Sequence, residues 1–352
     1  MSRDVRDIGM GFHSGSLRTR TRLIRARMHA SARAALALPE FDARDRRDVH
    51  ISSALWNLHF TGLSLNWSSA APVIADSQGA SQSKPVLGAA LSIKSIPAHR
   101  DWLLERQRDL EIQDFFRADL LDSDWRSTAG EIKQMLAGHT GRLGIHGPFW
   151  GFKIDSHDPM IRQAVTRRLL QGLEAAEFLG ATQMVIHSPF TTWDHNNLDL
   201  YPDNRGNLVE RVKATLAEVI VRAETIGCEI VVENIEDKDP RDRVRLAKAL
   251  ESSKVRVSLD TGHANYAHIS TGAPPVDYYV ETAGDMLTHV HLQDTDGFAD
   301  RHWAPGEGNI PWVAVFRALG RLNSNPRLIL ELRNHDNVRA GAAHLAALGL
   351  AE

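Results

Sequence analysis

Residues 229–263 have the sequence EIVVENIEDKDPRDRVRLAKALESSKVRVSLDTGH, in which two short apolar runs are separated by a charged segment. Both runs are rich in β-branched residues, and each ends in an acidic residue, Glu233 in EIVVE and Asp260 in VRVSLD. The intervening DRVRLAKALE has a helical pattern. The stretch therefore predicts a strand–helix–strand unit, in which both acidic side chains lie at the same edge of a parallel sheet.

The same alternation continues on both sides of this stretch. Helical patterns such as DPMIRQAVTRRLLQGLEAAEFLG begin at a cap signal, Asp158-Pro159, and stop at a glycine, Gly180. Eight strand–helix repeats predict a (β/α)8 TIM barrel, whose active site lies at the C-terminal ends of the strands. An open doubly wound sheet is the alternative, but no GxGxxG phosphate loop supports it. The predicted strands are residues 86–93, 109–116, 142–149, 182–190, 229–235, 255–263, 287–294 and 327–334.

The first 84 residues differ in composition from the rest of the chain. Their Arg-rich stretch LRTRTRLIRARMHASARAALAL fits a basic amphipathic helix or a targeting segment. The polar, turn-rich DSQGASQSKP that follows is typical of a linker. We expect residues 1–84 to be a poorly ordered extension and residues 85–352 to form the barrel.

The charge balance argues against a surface built for nucleic acid. Residues 1–84 hold 12 Lys and Arg and 7 Asp and Glu; subtracting them from the totals of 41 and 44 leaves 29 and 37, a net of −8 for residues 85–352. Binding of DNA relies mainly on Lys and Arg that neutralise phosphates. The sequence contains no uninterrupted apolar run of about 18 residues, so it predicts no membrane span. The single cysteine, Cys228, excludes a disulfide framework. We expect a cytoplasmic protein.

Nine residues that can bind metal follow one another at the downstream ends of the apolar runs or just beyond them. In a closed barrel such side chains point inward, where their burial is costly unless a cation or another partner offsets it. A mixed nitrogen and oxygen set suits Zn, Mn, Co or Fe better than calcium. The sequence therefore predicts a metal centre at the mouth of the barrel. Its candidate ligands are His146, His187, Glu233, Asp260, His263, His291, Asp300, His302 and Glu331.

A family resemblance is carried by IHGPF, DPMIRQAV, LGATQMVIHSP, VVENI, SLDTGHA, HVHLQD, DRHWAPGEGNIPW and LILEL. Through these segments residues 85–350 resemble the xylose isomerase-like barrel superfamily, which includes sugar isomerases and epimerases and the endonuclease IV class of abasic-site nucleases. In the epimerases one metal is bound by Glu, Asp, His and Glu from strands five to eight. The matching positions here are Glu233, Asp260, His291 and Glu331.

The resemblance to epimerases also implies a mechanism. Glu233 and Glu331 would stand on opposite sides of a substrate carbon, one removing its proton and the other returning it, while His263 stabilises charge on oxygen. The cation would stabilise the enediolate. The expected function is thus a divalent-metal-dependent isomerase or epimerase of a ketose, sugar acid or polyol. The expected cofactor is Mn²⁺ or Zn²⁺, with Co²⁺, Mg²⁺ or Fe²⁺ as alternatives.

Two other functions stay open at this point. A lyase or dehydratase acting on a keto-sugar or a 3-keto-glycoside would use the same apparatus. The resemblance to endonuclease IV implies phosphodiester hydrolysis at abasic DNA by three zinc ions held by nine ligands, so one to three ions are expected. The five additional positions that match those ligands are His146, His187, His263, Asp300 and His302.

Several further residues are candidates for contact with a small sugar-type substrate. Aromatic residues of the predicted mouth loops are suited to stacking on an apolar sugar face, and Arg301 could contact a phosphate or carboxylate if Asp300 and His302 bind no metal. Asn234, Gln293 and Asp294 are predicted to bind hydroxyls or to orient ligands. The sequence leaves open whether the chain assembles into a homo-oligomer. The substrate-binding candidates are Phe149, Trp150, Trp193, Asn234, Arg301 and Trp303.

Overall fold

Eight strands pair in parallel in the order in which they occur along the chain, and the last strand closes on the first. This computed structural model describes residues 83–352. The predicted (β/α)8 barrel is confirmed, whereas the predictions for the extension lie outside the described residues, and the division at residue 84 stays a prediction. The strands are β1 (Gly88–Leu91), β2 (Leu110–Ile112), β3 (Leu143–His146), β4 (Gln183–His187), β5 (Glu229–Glu233), β6 (Val255–Asp260), β7 (Leu287–Leu292) and β8 (Arg327–Leu330).

Helices follow the strands and cover the outside of the barrel, so both faces of the sheet are buried. Short 3-10 turns at residues 114–116, 198–200, 284–286 and 335–337 complete the connections. Among the helices of residues 83–352, none is long and apolar enough to cross a bilayer. The helices are α1 (Ile96–Glu105), α2 (Ala118–Leu121), α3 (Trp125–Met135), α4 (Pro159–Leu179), α5 (Thr192–Asn197), α6 (Asn204–Ile226), α7 (Pro240–Ala249), α8 (Thr261–Thr271), α9 (Val276–Ala283), α10 (Trp312–Leu319) and α11 (Val338–Ala347).

The sequence signals that predict the start and the end of helix α4 are confirmed. At the start of α4, the Asp158 carboxylate accepts a hydrogen bond from the Met160 backbone N–H at 2.8 Å, and Pro159 occupies the first turn. The helix ends at Gly180, whose φ of 75° is the left-handed conformation that glycine adopts without strain. These caps fix where the chain leaves the mouth of the barrel and where it returns to the next strand.

All eight strands are shorter than the predicted ranges, and side-chain hydrogen bonds account for the early end of two of them. The predicted strand 109–116 ends at Ile112, because the Asp114 carboxylate accepts a hydrogen bond from Ile93 N–H at 2.6 Å and residues 114–116 turn away as a 3-10 helix. The predicted strand 255–263 ends at Asp260, which then caps α8 by accepting from His263 N–H at 2.6 Å. Hydrogen bonds from backbone N–H groups to an aspartate side chain therefore override β-propensity at both sites.

The register of the strands determines which side chains face the mouth of the barrel. His187 of β4 is paired in register with Glu233 of β5, and Asp260 of β6 with His291 of β7. Because the strands are parallel and every second side chain points into the barrel, these residues face one interior space at its C-terminal end. Cys228, directly before β5 at the opposite end of the barrel, is buried, and burial raises the pKa of its thiol to about 12.

Candidate metal centre

All nine predicted ligands meet at the C-terminal mouth of the barrel. Strand ends supply most of them, whereas His263 lies in the first turn of α8, and Asp300 and His302 lie in the loop after β7. The nine form three groups, in each of which one ligand atom per residue lies within 4.8 Å of the others. We call them the inner group (His146, His187 and Glu233), the central group (Glu233, Asp260, His291 and Glu331) and the outer group (His263, Asp300 and His302).

In the inner group, the Oε2 atom of Glu233 is buried and has no hydrogen-bond partner. It lies 3.6 Å from Nε2 of His146 and 3.7 Å from Nε2 of His187. Two ligands that are each about 2.1 Å from one tetrahedral ion lie roughly 3.4 Å apart. Burial lowers the pKa of His187 to about 3, so its ring is neutral at neutral pH, the form that binds metal. The donor set therefore fits a divalent cation.

The central group contains three buried carboxylates around one imidazole. Nδ1 of His291 lies 2.8 Å from Oε1 of Glu233 and 3.3 Å from Oε2 of Glu331. Burial raises the pKa of both Asp260 and Glu331, and the negative charge of Glu233 adds to the effect. Burial acts in the same direction on Glu233, but His291 and His146 hold its pKa well below the usual range. A divalent cation would offset the repulsion among these carboxylates.

The outer group is closer to solvent. The Oδ1 atom of Asp300, whose side chain is 51% exposed, lies 3.3 Å from Nε2 of His263 and 3.1 Å from Nε2 of His302. His302 has a φ of +49°, which is uncommon for a residue other than glycine and is found where the surroundings hold a side chain in place. Burial would lower the pKa of His302, but Glu331 and Asp300 raise it to about 9.

Three histidines are oriented by backbone carbonyl groups. The Nδ1 atoms of His146, His263 and His302 lie 3.0, 2.9 and 3.2 Å from the carbonyl oxygens of Gly147, Asn234 and Glu331, respectively. A carbonyl oxygen only accepts hydrogen bonds, so Nδ1 carries the proton and each neutral ring presents Nε2 to its group. This is the arrangement that orients histidine ligands in metal sites.

Asn234 and Gln293 connect the groups. The Asn234 amide oxygen accepts from Asp260 N–H at 2.9 Å and from the buried Arg243 guanidinium at 2.7 Å, while its amide nitrogen donates to the Asp260 carbonyl at 3.0 Å. The Gln293 amide nitrogen donates to Asp260 at 3.1 Å and to Asp300 at 3.1 Å. Of the two roles predicted for Asn234, the geometry favours orientation of ligands over contact with substrate, because both ends of its amide are bonded within the protein.

Asp294 organises the loop that carries Asp300 and His302. Its carboxylate accepts hydrogen bonds from the Gly306 and Ile310 backbone N–H groups at 2.8 and 3.2 Å and from the Trp312 indole at 3.1 Å. Its backbone N–H donates to the Trp303 carbonyl at 2.8 Å. Of the two roles predicted for Asp294, the geometry favours positioning, because its carboxylate accepts hydrogen bonds from this loop.

Gly308 gives the first test of this loop. A Cβ at Gly308 would lie closer than 3.0 Å to the Asp294 carboxylate and to the Thr295 backbone. Gly308→Ala is expected to lower the free energy of unfolding by about 1–3 kcal/mol, because backbone would have to move. Gly206→Ala is the control, since a Cβ there meets nothing within 4 Å. Denaturant unfolding measures both, and equal stability of the two variants would contradict this account of the loop.

Asp237, in the loop after β5, is a buried carboxyl group outside the three groups. It accepts hydrogen bonds from the Ser188 hydroxyl at 2.9 Å and from Ile235 N–H at 3.2 Å. Burial raises the pKa of Asp237 to about 6, and the neighbouring Arg243 only partly opposes this rise. In the folded chain the Asp237 carboxyl group therefore keeps its proton to higher pH than in the unfolded chain, where its pKa is 3.8.

This pKa difference gives a stability test. The stabilisation from the Asp237 proton is full below the unfolded value and is lost as pH rises through about 6. Relative to the wild type, Asp237→Asn is therefore expected to gain about 2 kcal/mol in free energy of unfolding between roughly pH 4 and pH 7. Urea unfolding across that range measures the change, with the exposed Asp101 replaced by Asn as control. Parallel pH curves for wild type and Asp237→Asn would disprove the assignment.

The aromatic candidates lie in different settings. The ring of Phe149 stacks on that of His187, with centroids 4.1 Å apart. Trp150 and Trp193 are 67% and 75% exposed, and Trp193 lines a groove of about 1030 Å³ with Phe152 and Lys153.

Arg301 and Trp303 belong to the loop after β7. The Arg301 guanidinium pairs with Asp296 at 2.8 Å and lies 5.2 Å from the Trp303 ring centroid. Contact of these aromatic residues or of Arg301 with substrate stays a prediction, and Phe149 is the one that touches a metal-binding candidate directly.

Two residues that touch the central group are not among those predicted from the sequence. Oε1 of Glu111 in β2 accepts a hydrogen bond from Nε2 of His291 at 3.0 Å, and its Oε2 lies 3.0 Å from Nε2 of His289. Gln113 donates from its amide nitrogen to Oε1 of Glu331 at 2.7 Å. The one signal for Glu111 was a lone acidic residue between Leu110 and Ile112 in a short apolar run. His289 is buried, and its Nδ1 lies 2.8 Å from the Ser258 hydroxyl.

A closed parallel barrel with carboxylates and imidazoles gathered at its C-terminal mouth defines a class of TIM barrels that can hold metal ions. The xylose isomerase-like TIM barrel family model matches residues 108–348, and the chain belongs to that family.

Among curated relatives, the uncharacterized protein MJ1311 of Methanocaldococcus jannaschii is 24% identical over 198 residues, 54% of this chain and 64% of that protein. D-psicose 3-epimerase of Ruminiclostridium cellulolyticum is 28% identical over 211 residues, 57% of this chain and 67% of the relative. Fructoselysine 3-epimerase of Escherichia coli O157:H7 is 33% identical over 112 residues, 30% of this chain and 39% of the relative. The chain thus spans just under two thirds of MJ1311 and much less of the third relative.

Solved structures support the same fold. The TTHB071 protein from Thermus thermophilus, soaked with ZnCl2, superposes with a TM-score of 0.57 at 25% identity, covering 74% of this chain and 97% of that one. A D-tagatose 3-epimerase-like protein gives a TM-score of 0.60 at 20% identity, covering 74% and 96%. At such identities the second likeness shows the fold alone.

Proposed function

We propose that this protein is a divalent-metal-dependent isomerase or epimerase of a keto-sugar or a related polyol. The observation that carries the proposal is the placement of Glu233 and Glu331, whose carboxylates both approach Nδ1 of His291, at 2.8 and 3.3 Å. Two carboxylates that flank one point suit the removal of a proton from one side of a carbon and its return from the other. The curated relatives named as sugar 3-epimerases support the same chemistry.

The residues that would hold the cation are those of the central group, and their mixed oxygen and nitrogen donors suit Mn²⁺ or Zn²⁺. A divalent cation there supplies a Lewis acid that polarises a ketone oxygen and makes the neighbouring C–H more acidic.

The side chains of the barrel then move the proton. One of Glu233 and Glu331 accepts the proton of the carbon beside the ketone, and the other donates a proton to the opposite face, which inverts that carbon. Gln113 holds Glu331 through its 2.7 Å hydrogen bond. Both glutamates are at most 7% exposed, which limits exchange of their protons with bulk water during the reaction.

His263 has two roles in this proposal that depend on its protonation. Its Nδ1 proton is donated to the Asn234 carbonyl, so the neutral ring presents a lone pair at Nε2 toward Asp300 and suits a ligand of the outer group. The protonated ring would instead donate from Nε2 to a substrate oxygen. The neighbouring acids Asp260 and Asp300 outweigh burial and raise the pKa of His263 well above its usual value in the metal-free chain.

Phosphodiester hydrolysis is the second candidate, because the three groups together use all nine residues that match the endonuclease IV ligands. A site with more than one ion suits binding of phosphate oxygens and activation of water. The net charge of −8 on residues 85–352 weighs against a DNA substrate.

A panel of ketopentoses and ketohexoses in deuterated water tests the proposal. With the protein loaded with Mn²⁺ or Zn²⁺, we expect deuterium to enter one C–H position of a substrate as an epimer or isomer forms, as measured by mass spectrometry and chromatography. Loss of water from a keto-sugar would indicate a lyase instead. Cleavage of duplex DNA at an abasic site, without deuterium incorporation into any sugar, would contradict the proposal and support the hydrolase.

A further inference from the structure

We infer that Glu111 is a positioning residue of the metal centre, which fixes the ring of His291 so that Nδ1 faces the central group. The inference rests on the proposed metal-dependent function and adds to it a residue from β2, a strand that supplies none of the nine ligands. It also gives a reason for an acidic side chain in the interior of the barrel.

The contacts of Glu111 occupy both of its oxygens. Oε1 lies 3.0 Å from Nε2 of His291, and Oε2 lies 3.0 Å from Nε2 of His289. Glu111 is 2% exposed, and the two histidines are at most 1% exposed. A buried carboxylate is costly without hydrogen-bond donors, and the Nε2–H group of His291 supplies one here.

The contact with Glu111 bears on which nitrogen of His291 can bind a metal ion, because Nε2 faces Glu111 and Nδ1 faces the central group. If Nε2 donates its proton to Glu111, the neutral ring has its lone pair at Nδ1, which faces Glu233 and Glu331. His146, His263 and His302 have the opposite arrangement, because backbone carbonyls hold their Nδ1 protons and Nε2 faces the metal groups. His291 therefore differs both in the nitrogen that it presents and in the charged partner that orients it.

The network extends one step further from the mouth. Nδ1 of His289 lies 2.8 Å from the Ser258 hydroxyl, and Ser258 is fully buried. Ser258 fixes the ring of His289 beside Glu111, with Nε2 of His289 3.0 Å from Oε2, and rotation of the carboxylate would break its buried hydrogen bond to His291. Ser258, His289 and Glu111 thus link β6, β7 and β2 behind the ligand His291.

Glu111, His289 and His291 could themselves be considered a cation site, since their ligand atoms lie close together. The 3.0 Å contact between Oε1 of Glu111 and Nε2 of His291 is a hydrogen bond. Two ligands of one tetrahedral ion stay about 3.4 Å apart. The geometry points to hydrogen-bonded support for a ligand, the arrangement in which a carboxylate makes a metal-binding imidazole more basic.

Metal affinity of a matched pair of variants tests the inference. Glu111→Gln removes the negative charge that orients His291. Glu229→Gln makes the same change at the other end of the barrel, where Glu229 accepts hydrogen bonds from Gln183 and Thr288 and is in none of the metal groups. Competition with a chromophoric chelator is expected to show Zn²⁺ binding about 10–100-fold weaker in Glu111→Gln and unchanged in Glu229→Gln. A general loss of stability would weaken binding in both variants.

The wild-type protein provides a second measurement that needs no variant. Long-range ¹H–¹⁵N NMR of the Zn²⁺-loaded protein is expected to show His291 bound through Nδ1 and protonated at Nε2. Unchanged affinity in Glu111→Gln, or binding of His291 through Nε2, would overturn the inference while leaving the metal centre intact. Failure of the wild-type protein to bind any divalent ion would overturn both the inference and the proposed function.

Discussion

Glu331→Gln is expected to reduce the rate of deuterium incorporation into the keto-sugar substrate by about 100–10,000-fold, the usual contribution of a positioned acid or base. The amide can neither accept nor return the proton, and it is a poorer metal ligand than a carboxylate. The neighbouring Gln113, which now donates to Oε1 of Glu331, can still bond to the new amide oxygen. Folding should therefore be largely preserved.

Glu281→Gln is the matched control for this experiment. Glu281 is paired with Arg321 at 2.8 Å on the surface, with side chains 43% and 64% exposed, so its loss should have little effect on stability or rate. Glu233→Gln is expected to resemble Glu331→Gln, because Glu233 belongs to both the inner and the central group. Full exchange activity in Glu331→Gln would disprove the pairing of Glu233 and Glu331 as acid and base.

Removal of bound divalent ions is the second change with a large expected effect. At a free-ion concentration of about a thousand times Kd, binding stabilises the folded chain by about 4 kcal/mol. Loss of that stabilisation should lower the melting temperature by roughly 10 °C for a domain of this size. The physical reason is that chelation leaves Glu233, Asp260 and Glu331 buried together without the cation that offsets the repulsion among their charges.

Thermal unfolding with and without a chelator measures this effect, and re-addition of Mn²⁺ or Zn²⁺ should restore the higher melting temperature. A variant that carries both Glu233→Gln and Asp260→Asn is the control, because its melting temperature should respond much less to the chelator than that of the wild type. An identical melting temperature for wild-type protein with and without chelator would contradict the proposed stabilising role of the ion.

The fold and the nine candidate ligands could be predicted from sequence because both depend on local patterns. Alternating strand and helix signals give the (β/α)8 order, and parallel strands bring their C-terminal ends together whatever the details of packing. Glu233 and Asp260 end their strands, and His291 lies one residue before the end of β7. Because parallel strands end at the same side of the barrel, these three side chains are expected at its C-terminal mouth.

Glu111 could not be predicted in the same way. Its strand is only three residues long, and one acidic residue gives no periodic signal. Its partner His291 is far away in sequence, and their contact depends on β2 and β7 facing each other across the closed barrel. The role of Asn234 was similarly open, because sequence does not show whether an amide at a strand end turns toward substrate or toward the next strand.

Elemental analysis of the purified protein tests the central claim most directly. The protein would be isolated without chelators or a metal-binding affinity tag, equilibrated with Mn²⁺, Zn²⁺ or Co²⁺, separated from free ions and analysed for metal per chain. We expect one to three divalent ions, fewer in the variant that carries Glu233→Gln and Asp260→Asn, since it disrupts the inner and central groups. Wild-type protein that retains no divalent ion under any of these conditions would contradict the account.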